Sequence, residues 1–488
     1  MPSRLPAELR LAVLEQLEPE DCFNFAITSK ESWRISESLV RKHGKLFEEL
    51  RVVETVRGER TVWNLLDRIL DDPSTAKYVR EIQLDVDRAL CYDLGVQDPI
   101  LLTRESARLP SETAARYDKA CEEFCYDWFW DVPTINGELA TGPDASPEFV
   151  NAKGSDSAVI ATLLSMLPKL HTLRYTAGGE DYWLLHAFRC VARDVGPALP
   201  FQSLRNVSIA HYGTEGCMRW AWVHCIIRIP SMRSFTGNMI GGCWDEFPDD
   251  EDLLRSPPDL SGVTDLTFGY SNVEALAMDA IVRQCRDLKT FRYSNGGSSV
   301  AFEAYDPRYF IYRLWQYRSN TLEQLILEDD SDENRAEDTE APLSIHPVYS
   351  LRTFEKLKSF ACDLKDIVTG NEKDIMKELK KEEFQHEGIT INTNNCACIF
   401  NVRALFPKSL EELHIGCNDF QLSLEDRIAL LYEVLKSKER VLPNLKLVYL
   451  PVQESAELEE FKARAAAAGV EYKPISLVGK YDDIYRSV

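Results

Sequence analysis

Positive charge is what this sequence is short of. Its 488 residues hold 56 Lys and Arg against 79 Asp and Glu, a formal net charge of −23. No run of Lys or Arg stands out. A chain so acidic lacks the electrostatic footprint of a nucleic-acid or anionic-membrane binder, so neither is expected as a partner. Long apolar runs are missing as well: Val159–Leu167 and Ala221–Ile229 are about half the ~20 residues needed to cross a bilayer. Arg4, Glu8, Arg10 and Glu15 interrupt what would have to be the apolar core of a secretory signal. The 13 cysteines are odd in number and lack framework spacing, which suits reduced thiols in the cytoplasm or nucleus. The sequon at Asn206 reads as chance without an export route.

Catalytic signatures are also scarce. There is no Gly-x-Ser-x-Gly elbow, no Walker-type loop and no Gly-x-Gly-x-x-Gly. Cys121 and Cys125 are one helical turn apart and Cys396 and Cys398 have strand-like spacing, but neither has a matching second pair. His224 beside Cys225 does not complete a four-ligand set. No metal and no cofactor is expected. The abundant carboxylates do not by themselves make an acid–base pair, which is a matter of geometry.

What the chain does have is 44% hydrophobic residues, enough for a large core. Its first fifty residues differ from the rest. Residues 6–17 predict a short helix on which Leu9, Val13 and Leu17 form one stripe while Leu11 and Leu14 widen the apolar arc. Pro19–Ile27 predicts a second helix, opened by Glu20 and Asp21 at the favourable end of its dipole. Thr28 and Glu31 have capping-box spacing and would start a third helix carrying Trp33, read as an internal core aromatic. Three helices in about 45 residues bury little apolar area alone, so they need cover from elsewhere.

Beyond residue 50, Leu-x-x-Leu-x-Leu or a close substitute recurs, as in Val79/Ile82/Leu84, Leu170/Leu173/Tyr175, Leu322/Leu325/Leu327 and Leu445/Val448/Leu450. From Leu170 on, successive first positions stand 25 to 35 residues apart, with one step of 53. Each motif ends in a strand-like alternation, and helical segments such as Ala158–Leu167 and Glu274–Cys285 precede several of them, the latter behind Ser271 and Glu274 at capping-box spacing. Helix then strand at this period predicts a long-unit leucine-rich solenoid. Insertions are expected at 131–157, 245–252, 328–341 and 371–385, the last a helix, and Ser455–Ala468 is expected to close the array. Phe124, Tyr126, Trp128, Phe129 and Trp130 are read as stapling the irregular segment after the first strand to the core.

The N-terminal segment resembles an F-box. The matching positions are Leu5-Pro6-Ala7-Glu8-Leu9, then Leu14 and Leu17, then Pro19-Glu20-Asp21, then Ile27-Thr28-Ser29-Lys30 and Trp33, with one extra residue between Ile27 and Lys30. The whole chain is similar to fungal-type F-box/leucine-rich-repeat proteins. The fold class expected is therefore α/β: a three-helix F-box over 1–50, an irregular leucine-rich horseshoe over 51–475, and a tail over 476–488. The resemblance implies a non-catalytic substrate receptor of an SCF-type cullin-RING ubiquitin ligase. The Skp adaptor, and through it the cullin, would bind Leu5, Pro6, Leu9, Leu14 and Leu17, with Glu8 and Lys30 at the polar periphery.

A target protein would meet the polar residues between the strand leucines, among them Arg174, Asn206, Asp265, Arg292, Glu412 and His414. Alternation alone also predicts polar residues there. Two other readings stay open: a leucine-rich scaffold whose first fifty residues are only a cap, and an enzyme with its site near residues 120–155 or 240–255.

Overall fold

The computed structural model describes residues 5–56, 61–85, 112, 115–117, 119–120, 134–135, 138–139, 157–177, 182–192, 200–212, 216–242, 257–296, 307–329, 351–362, 389–392, 397–400, 405–415, 424–451 and 456–475. The chain divides into two compact units, residues 1–176 with 180–207, and residues 177–179 with 208–488.

Unit 1 opens with three helices, α1 (Ala7–Leu14), α2 (Pro19–Ala26) and α3 (Lys30–Leu50). They lead directly into β1 (Val52–Glu54). After α4 (Thr61–Asp71) and a 3-10 turn at Pro73–Lys77 comes β2 (Glu81–Leu84). A small antiparallel hairpin, β3 (Thr134–Ile135) with β4 (Glu138–Leu139), precedes α5 (Ser157–Ser165), β5 (Thr172–Ala177), α6 (Tyr182–Ala192) and β6 (Asn206–His211). The division between the units passes through β6. Strands β1, β2, β5 and β6 are neighbours in that order.

Unit 2 continues with β7 (Met218–Arg219), α7 (Trp220–Ile227), β8 (Ser234–Asn238), β9 (Ile240–Gly242), β10 (Asp265–Val273), α8 (Ala275–Gln284), β11 (Thr290–Asn295), α9 (Pro307–Arg318), β12 (Gln324–Asp329) and β13 (Ser359–Cys362). The hairpin β14 (Ile389–Asn392) with β15 (Ala397–Phe400) follows, then β16 (Glu412–Ile415), α10 (Leu424–Val441), β17 (Leu447–Pro451), α11 (Ala456–Ala467) and β18 (Glu471–Ile475). Its strand order is β8-β10-β11-β12-β13-β16-β17-β18, with β9 bridging β7 and β10.

The fold class expected from the sequence is corrected here. The structure is an α/β architecture of fourteen strands in open-edged, parallel arrangement, not a helical F-box joined to a leucine-rich horseshoe. Two physical reasons account for the difference. Hydrophobic spacing fixes where strands and helices fall, but the same spacing serves any parallel array with helical crossovers, which parallel pairing requires in any case. The first helices, moreover, are not a closed bundle: α3 runs 21 residues straight into β1, which pairs with β2 through Val52–Glu81 and Val53–Ile82.

Within that architecture the strand positions follow the repeating motif. Ile82, Leu84, Leu173, Tyr175, Leu266, Phe268, Phe291, Tyr293, Leu325, Leu327, Val448 and Leu450 are all buried. In unit 2 the rings of Phe235, Phe268 and Phe291 stack strand to strand at 6.1 and 6.2 Å. Each such side chain contributes about 1.5–3 kcal/mol on burial, which is why the array tolerates irregular connections. The expected helices lie close to their predicted bounds, but two caps differ. Ser29, not Thr28, caps α3 by accepting the Ser32 amide (3.0 Å). Ser271 sits inside β10, where its hydroxyl donates to the Gly269 carbonyl (2.8 Å) and accepts the Ile240 amide (3.1 Å). The expected aromatic staple at 124–130, the insertion at 245–252 and the helix at 371–385 lie outside the described residues; within 131–157 the chain forms the β3–β4 hairpin and the start of α5, and within 328–341 Glu328 and Asp329 end β12.

One buried hydroxyl supports the irregular end of β10. Tyr293 Oη donates to the Ser271 carbonyl and accepts the Val273 amide, both at 2.9 Å. Within β10, at the register shift between Phe268 and Ser271, Tyr270 adopts φ +45°, a left-handed conformation that is strained for a non-glycine residue. Tyr293→Phe leaves two buried backbone groups without their partner and is expected to lower unfolding stability by about 1–3 kcal/mol, measured by urea denaturation.

Candidate docking site

Helix α1 turns Leu14 inward (2% exposed) and is tied to α3 by the Arg10–Glu31 ion pair at 2.8 Å. This orientation leaves Leu9 and Val13, one turn apart on α1, facing solvent at 53% exposure each, with Leu5, just before the extended Pro6 cap, 45% exposed. On α2, Cys22 and Ala26 face inward, so Phe23 and Ile27 face out. On α3, Ser32 and Ser36 are buried, Ser36 Oγ donating to the Ser32 carbonyl (2.8 Å), and Trp33 is exposed. Six of the twelve large apolar side chains left exposed among the described residues lie between residues 5 and 33. An ordinary surface helix turns such side chains inward.

Of the expected adaptor-binding residues, Leu5, Pro6, Glu8, Leu9 and Lys30 are exposed. Leu17 is half-buried. Leu14 is internal and anchors α1. Val13, Phe23, Ile27 and Trp33 were missed. Val13 belonged to the predicted stripe, Phe23 and Ile27 are one helical turn apart, and Trp33, expected in the core, is 40% exposed.

The three helices are fixed to the start of the sheet within the same unit. Glu18 pairs with Lys77 at 2.8 Å, and Glu20 pairs with Arg80. His43 Nδ1 is hydrogen-bonded to Tyr78 Oη at 2.5 Å. Phe47 meets the Tyr78 ring edge-on (5.1 Å), and the Arg80 guanidinium lies 5.1 Å from the centroid of the Phe47 ring. Burial pushes the Glu20 carboxyl up, but its own backbone amide and the Arg80 hydrogen bond and charge outweigh this and hold it below the usual range. Burial, with Lys42 adding to it, pushes the His43 imidazole down.

The candidate target-binding residues are spread over the strands and not gathered at one point. In unit 1, Arg174 pairs with Glu81 of the adjacent strand (3.2 Å), and Asn206 Nδ2 reaches Thr172 Oγ1 (3.4 Å). In unit 2, Asp265 accepts from Thr264 Oγ1 (2.6 Å), and Arg292 donates to Gln324 Oε1 at 2.8 and 3.1 Å. Glu412 is half-buried; His414 is buried beside Tyr449, ring centroids 5.8 Å apart. Strand register puts Asp265 and Glu412 in one cross-strand row, Arg292 and His414 in another.

Among the described residues no group of His, Cys, Asp and Glu is arranged to hold a metal ion. Burial pushes the Cys285 thiol up to about 12, so it is inert as a nucleophile. Two polar cavities are described: about 450 Å³ beside Leu17, Lys42, His43 and Lys77, and about 430 Å³ beside Arg352, Lys408 and Arg440. Cys121, Cys125 and Cys396 lie outside the described residues. No described helix is long and apolar enough to cross a membrane. The chain matches no family model and no curated protein.

Because Glu20 keeps its charge to lower pH folded than unfolded, its pairing stabilises at neutral pH, and that contribution drains as pH falls through the carboxylate range. Arg80→Met should therefore lower the thermal midpoint at neutral pH, with the gap to wild type narrowing below the ordinary Glu value of about 4.3. Midpoints recorded across pH for both proteins check this.

Proposed function

We propose that this chain is the target-recognition subunit of an SCF-type cullin-RING ubiquitin ligase, working in the cytoplasm or nucleus. Its first fifty residues dock the Skp-type adaptor, and its sheet faces hold a target protein. The observation that carries this reading is the outward apolar surface of Leu5, Leu9, Val13, Phe23, Ile27 and Trp33. These side chains are already about half covered, so completing their burial yields on the order of 5–9 kcal/mol. Association costs about 4–15 kcal/mol, so the apolar surface alone gives modest affinity, and polar neighbours such as Glu8 and Lys30 set register and specificity.

Catalysis lies in the partner enzymes. The chain itself contributes proximity: it raises the effective concentration of target lysines near the loaded conjugating enzyme. Helix-face docking of this kind reads as anchors one turn apart, the spacing of Leu9 and Val13 on α1.

Co-expression with a Skp-type adaptor followed by affinity purification tests the reading. Leu9→Asp with Val13→Asp should abolish co-purification while leaving the unfolding midpoint nearly unchanged, because both residues are exposed. Leu14→Ala should instead destabilise the protein by about 2–5 kcal/mol, as a buried leucine does. Failure of the wild-type chain to retain the adaptor overturns the proposal and favours a scaffold whose first helices only cap the sheet.

A further inference from the structure

Residues just before the strands form an N-terminal rim on each unit, and the two rims differ in charge. In unit 2 the rim runs Arg233, Thr264, Lys289, Glu323, Lys358, Glu411 and Lys446, with the sign alternating from Lys289 onward. Neighbours neutralise each other, Lys358 with Glu323 and Lys446 with Glu411, both at 2.6 Å. In unit 1 the rim runs Arg51, Arg80, His171, Arg205, with Lys169 beside it and no carboxylate in the series. Burial pushes the His171 imidazole down, Arg205, Arg80 and Lys169 add to this as positive neighbours, and Glu20, which Arg80 already engages, opposes it. Among the described residues neither Lys169 nor Arg205 has an acidic side chain within ion-pair distance, and Arg205 is exposed. Asn206, exposed next to Arg205, adds an amide to the same corner.

Three cations, Arg80, Lys169 and Arg205, here meet the single carboxylate of Glu20, and in a chain of net charge −23 that local positive excess is what attracts an anionic group. We propose that the Lys169–His171–Arg205 rim of unit 1 binds an extended, carboxylate-rich segment of a protein. Adjacent strands stand about 4.8 Å apart, and alternate residues of an extended chain about 6.8 Å, distances that the flexible arms of Lys169 and Arg205 bridge. The bulk of the protein repels an acidic ligand, so binding at this corner is local and selective. This rests on the reading of the chain as a target receptor and names the chemistry of the target segment.

The test uses the full chain and a fluorescein-labelled peptide of alternating glutamate and serine, with an alternating glutamine and serine peptide as control, read by anisotropy. The glutamate peptide should bind and the glutamine peptide should not. Lys169→Glu with Arg205→Glu should weaken binding by about tenfold or more, and Arg205→Gln by a smaller factor that needs no charge reversal. Lys358→Glu, on the neutralised rim of unit 2, should change it less than about twofold. Absence of glutamate-peptide binding, equal binding of the glutamine peptide, or equal loss with Lys358→Glu overturns the proposal. Adaptor co-purification from the same preparation separates the two readings. A chain that keeps the adaptor and ignores the peptide refutes only this site; one that binds the peptide without the adaptor refutes only the docking.

Discussion

Everything in the architecture depends on how one strand hands its register to the next. At the rim of unit 1 the Arg51 carbonyl accepts the amides of both Arg80 and Glu81 (2.9 and 3.0 Å), the Arg80 carbonyl those of His171 and Thr172 (2.8 and 3.1 Å), and the His171 carbonyl those of Arg205 and Asn206 (2.9 and 3.0 Å). Unit 2 repeats the device, as where the Lys289 carbonyl accepts Glu323 (2.7 Å) and Gln324 (2.9 Å). A parallel strand held at its first residue cannot slip by one, and a slip by one would turn every buried leucine to solvent. Register therefore makes the cross-strand rows, the aromatic stack of Phe235, Phe268 and Phe291, and the charge pattern of the rims consequences of a single backbone arrangement.

Arg80 shows how that backbone device is coupled to the three N-terminal helices. Its carbonyl is a rung of the ladder, while its guanidinium holds Glu20 of α2, donates to the Lys77 carbonyl and lies over Phe47 of α3. Tyr78, two residues earlier, receives His43 and the edge of Phe47. The helices are thus gripped from the side of the sheet by charged and aromatic contacts. Their apolar interior is small, limited to side chains such as Leu14, Cys22 and Ala26. With little apolar area to share, the bundle cannot hide Leu9, Val13, Phe23 and Ile27 as well.

The strands were legible in the sequence because their signal is local and repeated: Leu170/Leu173/Tyr175 and Leu322/Leu325/Leu327 mark inward positions wherever the chain runs parallel. Fold class was not legible from that signal. Curvature and closure depend on the helices and turns between strands, and the leucine spacing is the same in an open α/β sheet and in a horseshoe. The caps were misplaced for a similar reason. Thr28 and Ser29 are both competent hydroxyls, and only the chain path shows that Ser29 accepts the Ser32 amide while Thr28 Oγ1 donates to the Phe25 carbonyl (2.7 Å). Trp33 was placed inside on its size, although it follows the buried Ser32 by one residue and so points off the packed face.

Polar residues on the strands pose the harder problem, since a wet sheet face and a binding face share one composition. The hydrogen bonds separate them in part. Arg292 is engaged by Gln324, which in turn reaches Ser359 Oγ (3.4 Å), and Arg174 is engaged by Glu81, so these arginines stitch neighbouring strands together. A side chain already committed to its neighbour must break that bond to bind a target. Among the described residues Lys169 and Arg205 have no acidic side chain within ion-pair distance, although Lys169 shares the field of Glu20 with Arg80. Recognition by charge is therefore cheaper at the rim of unit 1 than on the faces, where sequence reasoning placed it.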